Sequence, residues 1–352
     1  MKQVSAKTVI SAIGVDLGDR RSRVCVLDER GDVVHETSVT TTCSGFQKMF
    51  GGLARCRIAV ETGTHANWVH DLLVKQGHEV FVANARKVRA ISTNERKCDE
   101  LDARMLARLA RVDPRLLQPV RVRSEQARLD LAMLRARAEL VELRTSMVNS
   151  LRGLSKSAGL PLPSSSPASL PKKPLDPTLE PILRYMLEAL EATTKAIARY
   201  NKDLAAVARQ RYPQCKLLRQ VAGVGLITSL YFLLTVDDPW CFRDPRDVGA
   251  YFGIVPRRDQ SGSRDPQLGI SKAGDRMGRT LLVQCAHHIL GRFGKDSDLR
   301  RFGKKIEERG GKGAKKRAVV ATARKLAVLL LALLRSGEVY QPLRNSAPAL
   351  AG

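Results

Sequence analysis

The strongest constraint on the fold lies in the first 113 residues, where short apolar runs and polar turns alternate in a fixed order. Three apolar runs come first, separated only by short turns, and such spacing predicts antiparallel strands joined by hairpins. They occupy residues 9–16, 23–27 and 33–39. The pattern then predicts a strand, a helix, a strand and a final helix. These occupy residues 57–61, 66–76, 79–83 and 98–112.

This order, with three strands in hairpin order followed by α/β alternation, is that of the ribonuclease-H-like fold. In that fold the first strand lies at the centre of the sheet and the fourth strand lies beside it. We therefore predict an α/β domain of the ribonuclease-H-like, or RuvC-like, type over residues 1–115.

Carboxylates occupy the ends of two of these strands and one face of the last helix. Asp16 ends the first strand in G-V-D-L-G, and Glu61 ends the fourth strand in A-V-E-T-G. Asp99 and Asp102 are three residues apart and therefore share a face of their helix. Each of them alone is also explained as a surface charge, which is how we interpret the neighbouring Asp19.

If the fold brings the four carboxylates together, their mutual repulsion requires cations between them. Hard oxygen ligands of this kind suit Mg²⁺ or Mn²⁺ rather than zinc. Two such ions about 4 Å apart stabilise the entering and the leaving oxygen of a phosphoryl displacement. The carboxylates thus predict a divalent-metal site for phosphoryl transfer.

Residues 116–210 carry apolar side chains at spacings of three and four, which predicts two long amphipathic helices. The first helix has its seam at Leu129, Met133, Ala136, Leu140, Leu143, Met147, Leu151 and Leu154. The second has its seam at Leu183, Leu187, Leu190, Thr194, Ile197 and Leu204. The Pro- and Ser-rich segment 155–178 predicts a linker between them. The result is an antiparallel helical hairpin, either as a plain core or as a coiled coil that pairs with another protomer.

Residues 211–340 predict a mainly α domain, followed by a tail over 341–352. Segment 217–236 is interpreted as two helices around a tight turn that contains Gly223 and Gly225. Such a turn resembles a helix-hairpin-helix, in which glycines let backbone N–H groups approach a phosphate, although a simple tight turn explains it equally well. We expect further helices at 279–293 and 318–335, packed side chains at His287 and His288, and a flexible basic stretch over 304–317.

A Gly- and Arg-rich segment lies between Phe252 and Gly278 and contains Ser261 directly before a glycine. A hydroxyl that attacks a phosphate needs an exposed position, cations that lower its pKa and cations that hold the phosphate. The nearby cations are Arg257, Arg258, Arg264 and Lys272. A flexible basic loop that only touches backbone phosphates explains the same residues.

The net charge of +25 is concentrated in residues 211–352, which hold 26 basic and 12 acidic side chains. A protein with so large a positive charge typically binds a polyanion, most often nucleic acid. The alternative is a basic surface without a specific partner.

The longest apolar run, Leu326–Leu334, is nine residues and is too short to span a bilayer, and residues 9–15 lack a signal-cleavage site. The seven scattered cysteines form no C-x-x-C pair, which favours reduced thiols over disulfides or a zinc knuckle. We therefore predict a cytoplasmic protein without membrane contact.

Three blocks of the sequence resemble the DEDD-type insertion-sequence transposases, also called bridge-RNA-guided recombinases. The first is G-V-D-L-G with A-V-E-T-G, and the second is K-C-D-E-L-D-A-R-M-L-A-R-L-A. The third extends from V-A-G-V-G through Y-F-G-I-V-P-R-R-D-Q-S-G to G-I-S-K-A-G-D-R. The closing K-K-R-A-V-V-A-T-A-R-K-L-A is similar to the final helix of the family, so the resemblance covers roughly residues 10–335. Cys98 replaces an expected polar residue, and linker 155–178 is long.

The resemblance implies a RuvC-like domain that binds Mg²⁺ or Mn²⁺, a coiled-coil arm for assembly and a C-terminal transposase domain with a nucleophilic serine. The implied metal ligands are Asp16, Glu61, Asp99 and Asp102. The serine corresponds to Ser261 by its place in Q-S-G, with Ser263 and Ser271 as runners-up. It would attack DNA to form a covalent phosphoserine intermediate, in a composite site that joins carboxylates of one protomer with the serine of another.

The same resemblance implies the partners. A structured non-coding bridge RNA would pair with target and donor DNA, so that base pairing supplies the specificity. The protein would be a prokaryotic, nucleoid-associated homo-oligomer, a dimer that forms a tetramer in the synaptic complex. The residues predicted to contact nucleic acid are Gly223, Gly225, Arg257, Arg258, Arg264, Lys272, Lys315, Lys316 and Arg317.

Three other functions remain open from the sequence. The first is a RuvC-like Holliday-junction resolvase or nuclease in which metal-activated water replaces the serine. The second is a sugar-kinase-like or actin-like ATPase, because G-V-D-L-G also opens those folds, but a second phosphate loop and an adenosine motif are not found in the sequence. The third is a nucleic-acid-binding scaffold without catalysis.

Overall fold

The computed structural model describes residues 10–84, 99–257 and 268–345, with only the backbone course for residues 99–101. The chain divides into two compact units, Met1–Arg123 and Ser124–Gly352. Ser261, Ser263, Arg258 and Arg264 lie outside the described residues.

The first unit is built on a five-stranded mixed sheet. Its strands are β1 (Ile10–Asp16), β2 (Arg21–Asp28), β3 (Val33–Thr40), β4 (Arg57–Glu61) and β5 (Glu79–Ala83). The order across the sheet is β3-β2-β1-β4-β5. Strands β1, β2 and β3 pair antiparallel, whereas β4 and β5 run parallel to β1. The α/β prediction for this region is confirmed, with β1 at the centre and β4 beside it.

The hairpin between β2 and β3 has a local cause in the sequence. Asp28 accepts hydrogen bonds through Oδ1 from the backbone N–H groups of Arg30, Gly31 and Asp32, each at 2.9 Å. Gly31 adopts a φ of 91°, which a glycine reaches without steric cost. The aspartate therefore closes the turn with its own side chain.

Helices cover both faces of the sheet. They are α1 (Cys43–Phe50), α2 (Ala66–Lys75) and α3 (Asp99–Val112). Alternate strand residues such as Ile13, Val15 and Ile58 form one core cluster with the side chains of α1 and α2. The intervening residues, such as Ala12 and Ala59, pack against α3. Helix α1 was not predicted, although Thr42 caps its start through a hydrogen bond from the Gly45 N–H at 3.1 Å and Phe46 and Phe50 are fully buried.

The second unit begins with the long hairpin of α4 (Glu125–Ser157) and α5 (Glu180–Arg211). At its base, the buried carboxylate of Asp130 accepts hydrogen bonds from Arg211 at 2.7 Å and from the Tyr212 hydroxyl at 2.8 Å. A buried carboxylate needs such partners because removing it from water is costly. This contact fastens the start of α4 to the end of α5.

The predicted seam of α4 is wrong at Leu129, Leu143 and Leu154 and confirmed at Leu151, whereas that of α5 is confirmed at five of its six positions. On α4, Leu129 is 59% exposed and Leu143 is 51% exposed, while Leu131 and Leu134 are buried instead. The reason is that the base of α4 also packs in one cluster with later helical residues, including Leu230 and Leu234. On α5 the buried seam residues are Leu183, Leu187, Leu190, Ile197 and Leu204.

Segment 155–178 is more ordered than a linker. Its first three residues complete α4, a short 3-10 helix covers Leu170–Lys172, and Leu170 is fully buried. Leu160, Leu162 and Leu175 pack against the same apolar cluster at the outer half of the hairpin. The proline and serine content predicted a linker because these residues reflect only the local conformation of the chain. They contain no information on the apolar contacts that the leucines make.

The remaining helices form the main core of the second unit. They are α6 (Cys215–Leu218), α7 (Leu226–Val236), α8 (Asp247–Tyr251), α9 (Arg276–Leu290), α10 (Asp298–Glu308) and α11 (Ala314–Ser336). Helix α11 supplies the centre of this core, for example through Leu326 and Leu330, which are both fully buried. The helical character predicted for this region is confirmed, and the three-part division of the chain stays a prediction. Within the described part of the chain, no helix is long and apolar enough to cross a membrane.

The expectation of a flexible stretch over residues 304–317 is wrong. Most of it belongs to α10 and to the first turn of α11, with a turn at 309–313 between them. Ser297 caps α10 through a hydrogen bond from the Arg300 N–H at 3.2 Å. The guanidinium of Arg317 donates to the carbonyl oxygens of Gly310 and Lys312, at 2.9 and 2.6 Å. The glycines therefore form a defined turn.

Candidate active site

Asp16 and Glu61 end neighbouring strands at the same edge of the sheet. Strands β1 and β4 are parallel, and the register pairs Val15 with Val60, the residues just before the two carboxylates. Val15 and Val60 both face the core cluster of α1 and α2. Because side chains alternate between the two faces of a strand, Asp16 and Glu61 belong to the opposite face, against which α3 packs. Both residues are half-buried.

Helix α3 crosses β1 at a very short distance, and this contact places Asp102. A Cβ atom added to Gly14 would lie 2.0 Å from the carbonyl oxygen of Ala103 and 2.5 Å from the N atom of Ala107. Only a glycine on the strand permits so close an approach. Asp102, which is half-buried, directly precedes Ala103. The helix therefore carries Asp102 along the face of the sheet that holds Asp16 and Glu61.

An ion pair fixes the other side of α3. Arg104 on the helix binds both carboxylate oxygens of Glu36 on β3, with its Nη2 2.6 Å from Oε2. The hydrogen bonds from Arg104 lower the pKa of Glu36 below its ordinary value. A guanidinium and a carboxylate that are joined by two parallel hydrogen bonds have a defined geometry. Arg104 therefore restrains the rotation of the helix that carries the acidic residues.

The structure describes the side chains of three of the four predicted metal ligands. Asp99 is the first residue of α3, but its side chain lies outside the described residues. Among the side chains that are described, no three His, Cys, Asp or Glu residues form a group that could hold a metal ion. The chemistry of the carboxylate set fits a hard divalent cation, and Asp16 and Glu61 share one edge of the sheet. The structure thus brings two of the four predicted ligands to neighbouring strand ends and carries a third, Asp102, on the crossing helix.

The sequence interpretation missed His65, which follows Glu61 in the loop after β4. Its Nδ1 accepts a hydrogen bond from the Trp68 indole N–H at 3.0 Å. In the neutral imidazole the proton therefore sits on Nε2. That atom is 3.8 Å from Oδ1 of Asp19, whose side chain is 98% exposed. The signal in the sequence was the H-x-x-W spacing, which allows this contact only if a helix begins at residue 66.

The segment that flanks Ser261 forms an antiparallel stem. Pro256 and Ile270 are paired as a β-bridge, and the Arg257 N–H donates to the Gly269 carbonyl oxygen at 2.9 Å. The Ser271 N–H donates to the Val255 carbonyl oxygen, also at 2.9 Å. Residues 255–257 and 269–271 therefore form the stem, and residues 258–267, which include Ser261 and Ser263, lie outside the described residues. Arg257 and Lys272 are exposed on this stem, and Ser271 is half-buried within it.

The stem is attached to the helical core at Asp275. This carboxylate caps α9 through the Gly278 N–H at 2.5 Å and accepts the hydroxyl of Tyr231 at 2.9 and 2.8 Å. Tyr231 is 1% exposed, and burial together with the Asp275 charge raises the pKa of its phenol above the ordinary value. A Cβ atom on Gly253 would lie 2.0 Å from the Ala273 carbonyl oxygen, so the two sides of the stem are in close contact. These contacts give the hairpin a fixed base.

The predicted glycine turn is present between α6 and α7. Gly223 adopts a φ of 91°, and Gly225 is the N-cap residue of α7. A Cβ on Gly223 would lie 3.2 Å from Nδ1 of His288. His287 and His288 are both exposed, so the expectation that they are packed is wrong. The apolar helix α9 buries its other side, through Leu282, Ala286 and Ile289.

The predicted cations at the start of α11 are all exposed. Lys315 and Lys316 line a cavity of about 480 Å³ together with His287 and Lys304. Lys304 is paired with Glu307 at 2.7 Å. Arg317 is engaged with the carbonyl oxygens of the preceding turn, so its guanidinium shapes that turn.

Two family models match the chain, and both describe transposases. One, a DEDD-type model, matches residues 13–157, and the other, described as the transposase family IS116/IS110/IS902, matches residues 215–302. The four predicted carboxylates and Ser261 fall within these two ranges. The protein is therefore a DNA transposase, an enzyme that moves DNA segments. It belongs to the IS110/IS116 family of insertion-sequence transposases.

Two transposases are similar to this chain over nearly its whole length, and a third protein is similar to part of it. The transposase for insertion sequence element IS1111A of Coxiella burnetii is 29% identical over 94% of this chain and 92% of its own length. A probable family 20 transposase of Pseudomonas aeruginosa is 28% identical over 95% of this chain and 99% of its own length. The pilin gene-inverting protein of Moraxella lacunata is 28% identical over 36% of this chain and 38% of its own length.

Proposed function

We propose that this transposase cuts DNA at a divalent-metal site and rejoins it through a covalent serine intermediate. The proposed metal ligands are Asp16, Glu61, Asp99 and Asp102, and the proposed nucleophile is Ser261. The observation that carries the proposal is the placement of Asp16 and Glu61 at the ends of parallel neighbouring strands, on the face crossed by α3.

The first unit is, on this proposal, a ribonuclease-H-like domain of the RuvC type. The support is its strand order β3-β2-β1-β4-β5, with an antiparallel part and a parallel part that meet at β1. Functional groups in sheets with parallel strands gather at the carboxyl ends of those strands, which is where Asp16 and Glu61 lie. A sugar-kinase-like ATPase would need a second phosphate loop, and the sequence contains no such motif.

The four carboxylates would hold Mg²⁺ or Mn²⁺. When bound, such ions would stabilise negative charge on the oxygens of the reacting phosphate. The protein itself fixes the carboxylates, through the close contact of Gly14 with α3 and through the ion pair of Arg104 with Glu36. These contacts hold α3, which carries Asp102, against the sheet whose strands end in Asp16 and Glu61.

The serine hydroxyl would act as the nucleophile. Its Oγ forms a bond to phosphorus while a P–O bond of the DNA backbone breaks, the serine gives up its proton, and the leaving deoxyribose oxygen gains one. Reversal of this step by a different strand end rejoins the DNA. The backbone of the half-buried Ser271 is bonded within the stem, which disfavours this serine as the nucleophile. Ser261 and Ser263 belong to the segment that joins the two sides of the stem in the sequence.

Rejoining, as opposed to cleavage alone, is supported by a relative whose name describes the inversion of a pilin gene. Inversion of a DNA segment requires that every cut end be joined again. A covalent protein–DNA bond conserves the energy of the cut bond for this step. We therefore favour the serine mechanism over a resolvase that uses metal-activated water.

The nucleic-acid partners would be target DNA, donor DNA and a structured bridge RNA, consistent with a nucleoid-associated protein. The exposed cations Arg257, Lys272, Lys315 and Lys316 support phosphate contacts. Arg258 and Arg264 would add phosphate contacts from the same basic segment of the sequence, and Arg317 would act by shaping the turn before α11. Gly223 and Gly225 would offer backbone N–H groups to a phosphate.

Assembly into dimers and tetramers is the last part of the proposal. It is supported by the exposed leucines of α4, among them Leu129 and Leu143, which are 59% and 51% exposed. A composite site would then combine the carboxylates of one protomer with the serine of another.

The decisive experiment compares Ser261→Ala with Ser263→Ala. Each variant is incubated with DNA carrying the ends of the element, and covalent protein–DNA adducts are separated under denaturing conditions. We expect loss of the adduct and of strand exchange in Ser261→Ala, with DNA binding retained. An adduct that persists in Ser261→Ala and vanishes in Ser263→Ala would reassign the nucleophile. Normal strand exchange in both variants would refute the serine mechanism and leave the water-based resolvase.

A further inference from the structure

Phe293 is a large apolar side chain that the protein does not bury. It lies in the turn between α9 and α10, and it is 69% exposed. The guanidinium of Arg292 lies over its ring, 4.5 Å from the ring centroid. One face of the ring is therefore in contact with a cation, while the other remains available to a flat partner. A single exposed apolar ring is common on protein surfaces, so its surroundings decide whether it matters.

Phe293 lines a cleft of about 440 Å³, which we name the Phe293 cleft. The glycine turn forms one wall through Gly223, and the end of α9 contributes His288 and Ile289. Arg219 and Lys295 also line it. The volume lies within the range of pockets that hold small organic ligands, roughly 300–1,000 Å³.

The charge at the cleft is positive. Arg219, His288 and Lys295 are all exposed. The acidic lining residue, Asp296, is engaged by Arg301, whose Nη2 is 2.7 Å from Oδ2. Among the described residues, no carboxylate forms an ion pair with Arg219 or Lys295. The cleft therefore offers two uncompensated cations next to an exposed ring.

We propose that the Phe293 cleft binds an unpaired nucleobase of a single-stranded nucleic acid, with Phe293 as the stacking platform. An aromatic ring beside cations that follow the backbone is the arrangement by which proteins hold single strands. Bases within a duplex are stacked on their neighbours and cannot enter a cleft, so the site would be specific for unpaired strands. Arg219 and Lys295 would contact the phosphates on either side of the base. The inference rests on the proposed function only in that the ligand is a nucleic acid.

The test uses the full chain and fluorescently labelled oligonucleotides: fifteen-residue oligothymidylate, the matching duplex, and a strand of the same length that lacks bases. Phe293→Ala is expected to weaken binding to oligothymidylate by roughly 5- to 100-fold, with binding to the duplex and to the baseless strand unchanged. Phe293→Trp should restore binding, because it preserves a flat aromatic surface. Lys295→Ala should instead reduce the salt dependence of binding by about 0.7 in the logarithmic slope.

Trp240→Ala is the matched control. Trp240 is also 69% exposed and also lies beneath an arginine, Arg335, at 5.1 Å, but it is not part of the cleft. An equal loss of binding in Trp240→Ala, or an equal loss on the baseless strand in Phe293→Ala, would overturn the proposal. So would wild-type affinity of Phe293→Ala for every unpaired strand that carries bases.

Oligouridylate of the same length separates the two sources of an unpaired base. Weaker binding of both oligonucleotides in Phe293→Ala supports a site that accepts either kind of strand. Weaker binding of oligothymidylate alone supports a displaced DNA strand, and weaker binding of oligouridylate alone supports an RNA loop. The outcome is independent of the serine mechanism. A chain that binds oligothymidylate through Phe293 but forms no covalent adduct would refute the proposed nucleophile and keep this inference.

Discussion

Gly14 on the central strand lies directly against the backbone of Ala103, with 2.0 Å between the Ala103 carbonyl oxygen and the place where a Cβ of residue 14 would be. This contact sets the distance between β1, which ends in Asp16, and α3, which carries Asp102. The relative position of the proposed ligands therefore depends on the absence of one side chain.

Gly14→Ala should separate α3 from the sheet. Because the obstructing atoms are backbone atoms that cannot rotate away, we expect a loss of about 1–3 kcal/mol in the free energy of unfolding. Transposition should fall further than stability alone explains, since the carboxylates move apart. Urea unfolding and a transposition assay measure the two effects. Gly52→Ala is the control, because a Cβ there would meet nothing within 4 Å. Equal behaviour of the two variants would contradict the role of Gly14.

Asp16→Asn should abolish metal binding while keeping the fold. The amide has nearly the same shape but lacks the negative charge that a divalent cation requires. We expect the rise in melting temperature on addition of Mn²⁺ to disappear and strand cleavage to fall by about 100-fold or more. Asp19→Asn is the control, because the Asp19 side chain is 98% exposed. Wild-type cleavage in Asp16→Asn would remove this carboxylate from the mechanism.

Tyr231→Phe should destabilise the second unit at neutral pH. It removes the hydroxyl that donates to the Asp275 carboxylate at 2.8 Å, and hydrogen bonds to charged groups contribute about 1.5–3 kcal/mol. The stem formed by residues 255–257 and 269–271 loosens with it, so adduct formation should also slow. Tyr185→Phe, at a ring that is 73% exposed, is the control and should change neither quantity.

Tyr231 and Tyr212 are expected to make the folded protein less stable in alkaline solution. Burial and Asp275 raise the pKa of Tyr231, and burial and Asp130 raise that of Tyr212. The folded protein therefore holds these two protons more tightly than the unfolded chain does. Their stabilising contribution is complete below the ordinary tyrosine pKa of about 10 and is lost as the pH rises above it. Unfolding curves between pH 8 and roughly pH 11 should show this decline, with a smaller slope in Tyr231→Phe. Equal slopes would show that Tyr231 does not contribute.

Leu143→Glu should weaken assembly without unfolding the protomer. Leu143 is 51% exposed on α4, so a charged side chain costs little there unless a partner covers it. We expect sedimentation to report a smaller species at micromolar concentration, with an unchanged circular dichroism spectrum. Ile182→Glu, at a residue that is 58% exposed on α5, tests whether that helix shares the interface. A Leu143→Glu protein of unchanged mass would remove this face from the interface.

The sequence predicted the strands of the first unit almost residue by residue. The short apolar runs of β1, β2 and β4 and the aspartate-based turn between β2 and β3 are local properties that a short window of residues contains. Helix α1 was missed because its eight residues contain only two large buried side chains, Phe46 and Phe50, and too few turns to show a period.

The helical unit was harder to predict from its sequence. The spacing of apolar residues along α4 identifies a helix, but it is compatible with more than one apolar stripe. Which stripe is buried depends on which elements pack against the helix. Leu131 and Leu134 are buried because later residues such as Leu230 reach them, while Leu129 remains exposed. The order of the turn at 309–313 likewise depends on Arg317, which donates to carbonyl oxygens five and seven residues earlier.

By itself, then, the sequence determined the secondary structure of the sheet, the positions of Asp16 and Glu61 at strand ends, and the basic character of the second unit, because each follows from local pattern or from charge. Tertiary structure decided that Gly14 admits α3, that His65 binds Trp68, and that Phe293 is left exposed beside two cations. These features depend on distances between residues remote in the chain or on which neighbours cover a side chain, and a linear pattern contains neither.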